Sequence, residues 1–205
     1  MLQGSKIAGG NPKNDRVEHD FYATDPVAVE KLLLQYSING TEILEPCVGN
    51  GNIANALRDF YKHRLNITGI DIVDRGYPNT IVQDFLTWET DRKFDCIITN
   101  PPFSLAKEFV EKSMDLLNEG SIEEDGYPNG QLIMFLKIQF LEGEKRKELF
   151  DKYPPKYIYV FRNRMATWNS GQPLDPNGKR WATTMCHAWF VWEKGIRTEP
   201  IVRWL

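Results

Sequence analysis

The sequence predicts an α/β fold in which a mostly parallel β-sheet is covered by helices on both faces. Predicted strands and helices alternate along the chain, as they do in parallel sheets. The strands are continuous apolar runs, which is typical of strands buried on both faces. A turn with two glycines, Gly49-Asn50-Gly51, follows the first long strand. The chain of 205 residues is long enough for one well-cored domain without disulfides or metal.

Seven strands and several helices follow from the pattern of apolar residues. A first helix begins at Pro26, capped by Thr24 or Asp25. The seventh strand has no helix before it, so we expect it to enter the sheet antiparallel. The predicted strands lie at 42–48, 67–73, 80–85, 94–99, 131–138, 157–162 and 185–193, with later helices at 53–61 (capped by Asn52), 104–117 and 142–153.

The domain organisation follows from the breaks in this pattern. Residues 1–20 are polar and rich in Gly and Asn, without periodicity, and we expect a flexible arm. Residues 21–205 then form a single domain. Residues 120–130 form an acidic loop, 163–180 form a long irregular loop, and 200–205 form a possible edge strand.

The composition favours a cytoplasmic protein. The net charge is −3, hydrophobic residues make up 41% of the chain, and no apolar run approaches the roughly 18 residues of a membrane span. Cys47, Cys96 and Cys186 are an odd number of cysteines in apolar runs, which predicts buried reduced thiols. We therefore expect no metal site and no membrane association, and we expect a monomer.

Acidic residues end the first three strands of the predicted sheet. Glu45 precedes the glycine turn, and Asp71 lies twenty residues after Gly51, where an acid typically binds ribose hydroxyls. Asp84, followed by Phe85, ends the third strand and can hold an adenine amino group, with an aromatic side chain or Ile72 beside the adenine ring. The third glycine of a dinucleotide fingerprint and a Gly-Lys-Ser/Thr phosphate loop are both missing. The pattern favours a cationic, adenosine-containing ligand that has no diphosphate.

The tetrapeptide Asn100-Pro101-Pro102-Phe103 follows the fourth strand. Two successive prolines remove two backbone donors and hold the chain extended. The carbonyl groups and the Asn100 amide then face outward beside the Phe103 ring. Pro-Pro alone indicates a turn that closes a strand, whereas the whole tetrapeptide suits a planar group that carries an NH2.

In their order along the chain, these motifs resemble those of the S-adenosylmethionine-dependent adenine-N6 DNA methyltransferases, in particular the compact type of phages and prophages. The motifs are Phe21-Tyr22-Ala23-Thr24-Asp25-Pro26, Glu45 to Gly51, Asp71 with Asp84, and Asn100 to Phe103. Asn100 stands where many members have Asp, and Phe103 where many have Tyr. Both variants occur in the family.

The resemblance implies a Rossmann-like class I methyltransferase fold, S-adenosylmethionine as cofactor, and methyl transfer to N6 of an adenine flipped out of double-stranded DNA, in a bacterial or phage-infected cell. It implies catalytic roles for Asn100, Pro101, Pro102 and Phe103. The implied cofactor-binding residues are Phe21, Tyr22, Thr24, Glu45, Gly49, Gly51, Asp71, Ile72, Asp84, Phe85 and Asn100.

A basic segment between Lys137 and Trp181 predicts the side that contacts the target. It holds ten basic and five acidic residues, and its long loop lies beyond the sixth strand. Basic and aromatic residues there suit phosphates and an unstacked base. The predicted contacts are Gln139, Phe140, Arg162, Arg164, Trp168, Lys179 and Arg180, with 163–180 as the target-contacting loop.

Three other functions fit the same residues: an RNA adenine methyltransferase, a protein-glutamine methyltransferase, and a non-catalytic relative that binds DNA or the cofactor. The basic loop favours nucleic acid over a protein glutamine, but not DNA over RNA. We interpret His19, His63 and His187 as surface or core residues, and Trp181, Trp189 and Trp192 as packing residues.

Overall fold

The structure is a computed structural model that describes residues 21–119 and 130–205. The predicted arm at 1–20 and nearly all of the predicted acidic loop lie outside the described residues. The remaining elements form one sheet with helices on both faces, together with a small two-stranded sheet.

The central sheet has eight strands in the order β10-β7-β9-β6-β5-β2-β3-β4. Among the described strands of this sheet only β9 runs antiparallel to its neighbours, which confirms the prediction for the seventh predicted strand. The possible strand near the end of the sequence is present as β10 and pairs parallel to β7. The bounds are β2 Glu42–Pro46, β3 Asn66–Asp71, β4 Ile81–Val82, β5 Cys96–Thr99, β6 Gln131–Lys137, β7 Tyr157–Val160, β9 His187–Glu193 and β10 Ile201–Trp204.

The helices are α1 Pro26–Leu33, α2 Asn52–Phe60, α3 Ala106–Leu116 and α4 Lys147–Lys152. Helix α1 begins where predicted because the Asp25 carboxylate accepts a hydrogen bond of 3.0 Å from the Val27 N–H. Helix α2 starts at Asn52, so Gly51 is its cap and not Asn52 as predicted.

Two predicted helices are shorter than the sequence pattern suggested. The helix predicted at 104–117 opens with a 3-10 turn, Phe103–Leu105, which leaves Leu105 exposed. The charged helix predicted at 142–153 is a 3-10 turn, Glu144–Arg146, followed by the short α4. Neither α3 nor α4 has a side-chain cap.

Successive residues of the central strands pack on opposite faces of the sheet. On β6, Ile133 and Phe135 pack with α1 and α2, whereas Leu132, Met134 and Leu136 pack with α3. The predicted core role of two tryptophans is confirmed: the Trp189 indole donates to the Ala28 carbonyl and the Trp192 indole to the Tyr153 carbonyl. Burial on both faces explains why these strands are continuous apolar runs.

A second, two-stranded sheet joins the start of the described chain to the predicted irregular loop. Strand β1, Tyr22–Ala23, pairs antiparallel with β8, Trp168–Asn169. The Ser170 N–H also donates to the Phe21 carbonyl at 2.8 Å. The loop at 163–180 therefore contains a strand, and it is attached to the segment before α1.

The three cysteines are free, as predicted, but only Cys96 is fully buried; Cys47 and Cys186 are half-buried. Within the described ranges no cluster of His, Cys, Asp or Glu could hold a metal ion. The helices of these ranges are too short or too polar to cross a bilayer.

Candidate active site

Five strands bring the predicted motifs to one edge of the sheet. The carboxyl ends of the parallel strands β2, β3, β5 and β6 meet there, together with the first residue of the antiparallel β9. This edge of an open α/β sheet is where ligands bind.

The glycine turn after β2 is held by Asp71 at the end of β3. One Asp71 carboxylate oxygen accepts a hydrogen bond of 2.8 Å from the Gly49 N–H, and the other accepts one of 3.1 Å from the Val73 N–H. Gly49 has φ +56° and Gly51 has φ +85°, which L side chains rarely adopt. Sequence spacing predicted that Asp71 and the turn lie together, and the hydrogen bond is the contact that joins them.

An aromatic ring covers the glycine turn. A Cβ at Gly49 would lie 2.3 Å from the Phe21 ring, and one at Gly171 would lie 2.9 Å from the same ring. The Arg75 guanidinium lies 4.6 Å from the centroid of the Phe21 ring. Phe21 and the β8 end of the long loop therefore lie against the turn.

Glu45 lies beneath the turn and is almost completely buried, with 1% of its surface exposed. Burial raises the pKa of its carboxyl well above the ordinary value, and the nearby Asp71 carboxylate raises it further. A hydrogen bond from the Ala54 N–H acts in the opposite direction. Burial and the Asp71 carboxylate therefore both shift Glu45 toward its protonated form.

Several buried polar atoms near the glycine turn lack a hydrogen-bond partner. Five such side-chain atoms occur among the described residues. One of them, the Ser113 hydroxyl, lies on α3, away from the turn. The others are Thr24 Oγ1, Glu45 Oε2, Asn50 Oδ1 and the Tyr77 hydroxyl. Buried polar groups in proteins are normally paired. A polar ligand at the turn would supply what these groups lack.

The Asn100 side chain is oriented by the segment before α1. Its amide nitrogen donates a hydrogen bond of 3.0 Å to the Tyr22 carbonyl. The amide oxygen therefore faces away from that carbonyl and is the atom that can accept a hydrogen bond. The Thr99 hydroxyl donates to the Pro46 carbonyl, which fixes the tip of β5 beside the tip of β2.

The Phe103 ring has a cation and an imidazole as neighbours. The Lys137 ammonium at the end of β6 lies 4.9 Å from its centroid. The His187 ring, at the start of β9, lies 5.8 Å from it at an interplanar angle of 36°. Lys137 and His187 are directly opposite each other in the β6–β9 register.

A cavity of about 260 Å³ lies next to His187. Two of its lining residues are the predicted target contacts Arg162 and Arg164, whose side chains are exposed. The remaining lining residues are Phe161, Asn163, Met165, Cys186 and His187. The predicted contacts after β7 therefore lie beside the Phe103 platform.

Two predicted aromatic contacts are core residues in the structure. Phe85 is 3% exposed and packs on Phe109 at 4.9 Å between ring centroids. Phe140 is 5% exposed and packs edge-on against Phe150 and Phe190. Neither ring presents an open face for stacking, because the fold uses both rings to fill the layer between α3, α4 and the sheet.

The neighbouring predicted residues are exposed. Ile72 is half exposed, and Asp84 is exposed with its carboxylate accepting from the Leu86 N–H at 2.9 Å. Gln139 is exposed in a 3-10 turn after β6. These side chains lie at the surface, and their predicted contacts stay predictions.

The predicted target loop divides into two parts. Trp168 lies in β8, paired with β1 on the side of the glycine turn. Lys179 and Arg180 are exposed and belong to a small hairpin with a bridge between Leu174 and Arg180. Trp168 is thus placed beside the predicted cofactor residues.

The sequence analysis did not predict that Lys137 and His187 lie beside the Phe103 ring, although His187 is a core residue as predicted. His187 was interpreted as a surface or core residue because the three histidines share no spacing. Only the antiparallel register of β9 places it opposite Lys137 and against Phe103. The sequence feature that could have indicated this placement is a polar residue at one end of each of two apolar strands, Lys137 at the end of β6 and His187 at the start of β9.

Comparison with known proteins agrees with this architecture. No protein-family model matches the chain. A stretch of 71 residues, 31% of the chain, is 45% identical to the Type II methyltransferase M.CvrRI of Paramecium bursaria Chlorella virus XZ-6E and covers 18% of that protein. The chain spans about a fifth of the length of the curated relatives it matches.

Solved structures match over more of the chain. A putative RNA methyltransferase from Pyrococcus horikoshii aligns with 94% of this chain and 95% of its own, with a TM-score of 0.60 at 16% identity. A modification subunit of a putative type I restriction enzyme from Vibrio vulnificus aligns with 92% of this chain and 46% of its own, with a TM-score of 0.59 at 15% identity. At these identities the likeness shows the fold, which is that of the class I S-adenosylmethionine-dependent methyltransferases.

Proposed function

We propose that the chain transfers a methyl group from S-adenosylmethionine to the exocyclic N6 of adenine in DNA. The observation that carries the proposal is the Asn100 amide, which Tyr22 orients at the tip of β5, next to the glycine turn and Asp71. Partial similarity to a Type II methyltransferase supports methyl transfer as the reaction class.

The residues around the glycine turn fit S-adenosylmethionine. Asp71 and Gly49 lie where a ribose would bind, and Thr24 and Glu45 have buried oxygens without partners. The acidic character suits a cationic ligand, and exposed Ile72 and Asp84 lie at the neighbouring strand ends. When bound, the cofactor supplies a methyl group on a sulfonium.

The chemical task of the platform is to make the amine of adenine nucleophilic, because its lone pair is delocalised into the ring. The Asn100 amide oxygen and the Pro101 carbonyl would each accept one of its hydrogens. This favours a tetrahedral nitrogen whose lone pair is free to attack. The gain comes from positioning and charge stabilisation. No dedicated base is required, because the methylated nitrogen carries a positive charge and can lose its extra proton to water.

The target base must leave the duplex to reach this platform. Extrusion costs a few kcal/mol. Stacking on Phe103, which is half-buried, would offset about 1–3 kcal/mol of that cost. The exposed Arg162 and Arg164 beside it suit backbone phosphates. They favour nucleic acid over a protein glutamine, and an adenine in RNA is the second acceptor to be tested.

Replacing Asn100 by Ala tests the assignment. We expect the methylation rate to fall at least about a hundredfold, because one oriented polar group at a reacting centre contributes that much. The measurement is transfer of labelled methyl from S-adenosylmethionine to adenine-containing duplex DNA, single-stranded DNA, RNA and a glutamine peptide.

Asn66→Ala is the matched control, since Asn66 is exposed at the start of β3, on the opposite edge of the sheet. Undiminished transfer by Asn100→Ala would contradict the catalytic role. Transfer only to RNA or to the peptide would replace DNA as the acceptor.

A further inference from the structure

His187 connects the elements that surround the Phe103 platform. Its ring stacks on Phe135 of β6, with centroids 4.9 Å apart at 29°, and lies 5.8 Å from Phe103. It also lines the cavity that contains Arg162 and Arg164. A single buried side chain, 5% exposed, therefore contacts both the base platform and the basic segment.

A hydrogen bond determines which ring nitrogen carries the proton. Nδ1 lies 2.8 Å from the Met165 carbonyl oxygen, which can only accept, so Nδ1 donates. In the neutral ring Nε2 is then an acceptor. No hydrogen bond among the described residues involves Nε2, and the His187 side chain borders the cavity. The bond also ties the ring to the segment that carries Arg162 and Arg164.

The charges around His187 favour its neutral form. Burial lowers the pKa of the imidazole below its ordinary value, and Lys137 on β6 and Arg164 on the segment after β7 lower it further. The hydrogen bond to the Met165 carbonyl acts in the opposite direction. Protonation would place a third cation beside Lys137 and Arg164 and weaken the arrangement.

We propose that His187 is a positioning residue for the target nucleotide. It sets the plane of the Phe103 ring and couples that ring to the segment of Arg162 and Arg164. A base stacked on Phe103 and a backbone phosphate bound by the arginines are then held in one fixed relation. The inference rests on the proposed function and adds a requirement: the acceptor is recognised as a nucleotide within a strand, through its phosphate as well as its base.

Two substitutions at His187 test the contribution of the ring and the contribution of its hydrogen bond separately. His187→Phe keeps the stacking and removes the donor to Met165, whereas His187→Gln keeps a donor and removes the ring. We expect each to raise the KM for an adenine oligonucleotide and to lower kcat, by up to about a hundredfold, as misplacement of an orienting group does. The affinity for S-adenosylmethionine, measured by calorimetry, should stay unchanged and shows that the variants are folded.

The pH profile distinguishes positioning from packing. In the wild type, kcat/KM should fall on the acid side as His187 becomes protonated, and this fall should be absent in both variants, which cannot titrate there. Lys137→Met removes a neighbouring cation without touching the imidazole. It should raise the pKa of His187 and move the acid-side fall to higher pH, whereas the exposed Lys145→Met should not.

If the acid-side fall in kcat/KM persists in both His187 variants, the inference about His187 is overturned and the proposed function still stands. The inference is also overturned if cofactor binding, oligonucleotide methylation and thermal stability all decline together in the variants. That result indicates a packing defect. A wild type that methylates no adenine in any nucleic acid would overturn the proposed function, and the inference with it.

Discussion

The two sides of the candidate site consist of different kinds of chemical group. On the cofactor side the contacts are buried and involve the backbone: Asp71 accepts from the Gly49 N–H, and Glu45 lies beneath the turn. On the target side the basic groups Arg162, Arg164 and Lys179 are exposed side chains on connecting segments. His187, which pairs with Lys137 across the sheet, links the basic segment to the platform from within the sheet.

This difference has consequences for substitution. A site made from backbone donors at positive φ tolerates no added Cβ, so changes there should be severe and insensitive to salt. A site made from exposed cations loses one phosphate contact at a time, so changes there should be graded and dependent on salt. The two halves can therefore be separated by experiment.

The largest effect is expected for Gly49→Ala. The alanine must adopt φ +56°, and its Cβ would lie 2.3 Å from the Phe21 ring. We expect a loss of about 1–3 kcal/mol in the free energy of unfolding from backbone strain, together with loss of measurable S-adenosylmethionine binding. Denaturant unfolding and calorimetry measure the two quantities.

Gly178→Ala is the matched control, because Gly178 has φ +75° and no atom within 4 Å of an added Cβ. It carries the strain without the collision and lies in the basic loop, so cofactor binding should be retained. Equal cofactor affinity in both variants would show that contact between Phe21 and the turn has no part in binding.

A smaller, graded effect is expected for Arg164→Ala. The substitution removes one exposed cation from the cavity beside His187. We expect weaker binding of nucleic acid and a plot of log K against log salt whose slope is smaller in magnitude by about 1. Binding of S-adenosylmethionine should not change.

Lys145→Ala removes an equal charge from an exposed 3-10 turn outside the cavity and controls for net charge. An unchanged salt slope in Arg164→Ala, or the same change in both variants, would argue against a phosphate contact at Arg164.

The sequence was sufficient for the parts of this protein that depend on local order along the chain. Alternating strands and helices predicted the sheet, and because parallel strands end at one edge, strand tips alone brought Gly49, Asp71 and Asn100 together. The antiparallel β9 followed from the missing helix before it.

The sequence was insufficient where tertiary pairing decides. Phe85 and Phe140 follow strands just as a ligand contact would, yet packing against α3 and α4 buries both rings. Trp168 was assigned to the target loop, but its pairing with Ala23 places it near the glycine turn. The register of β6 and β9 is what places His187 opposite Lys137 and beside Phe103.

The smallest expected effect concerns the buried acid of the cofactor half. Because burial raises the pKa of Glu45 in the folded state above its ordinary value of 4.5, the folded protein binds this proton more tightly than the unfolded chain. The wild type should therefore lose free energy of unfolding as pH rises above about 4.5 toward the raised pKa.

Glu45→Gln keeps the shape and an acceptor for the Ala54 N–H but cannot titrate. Its free energy of unfolding should depend less on pH than that of the wild type, with the two curves diverging as pH increases above 4.5. Denaturant unfolding between pH 4 and 8 measures both curves. Parallel curves would mean that Glu45 is charged in the folded protein, and the cofactor half would then hold a second buried carboxylate beside Asp71.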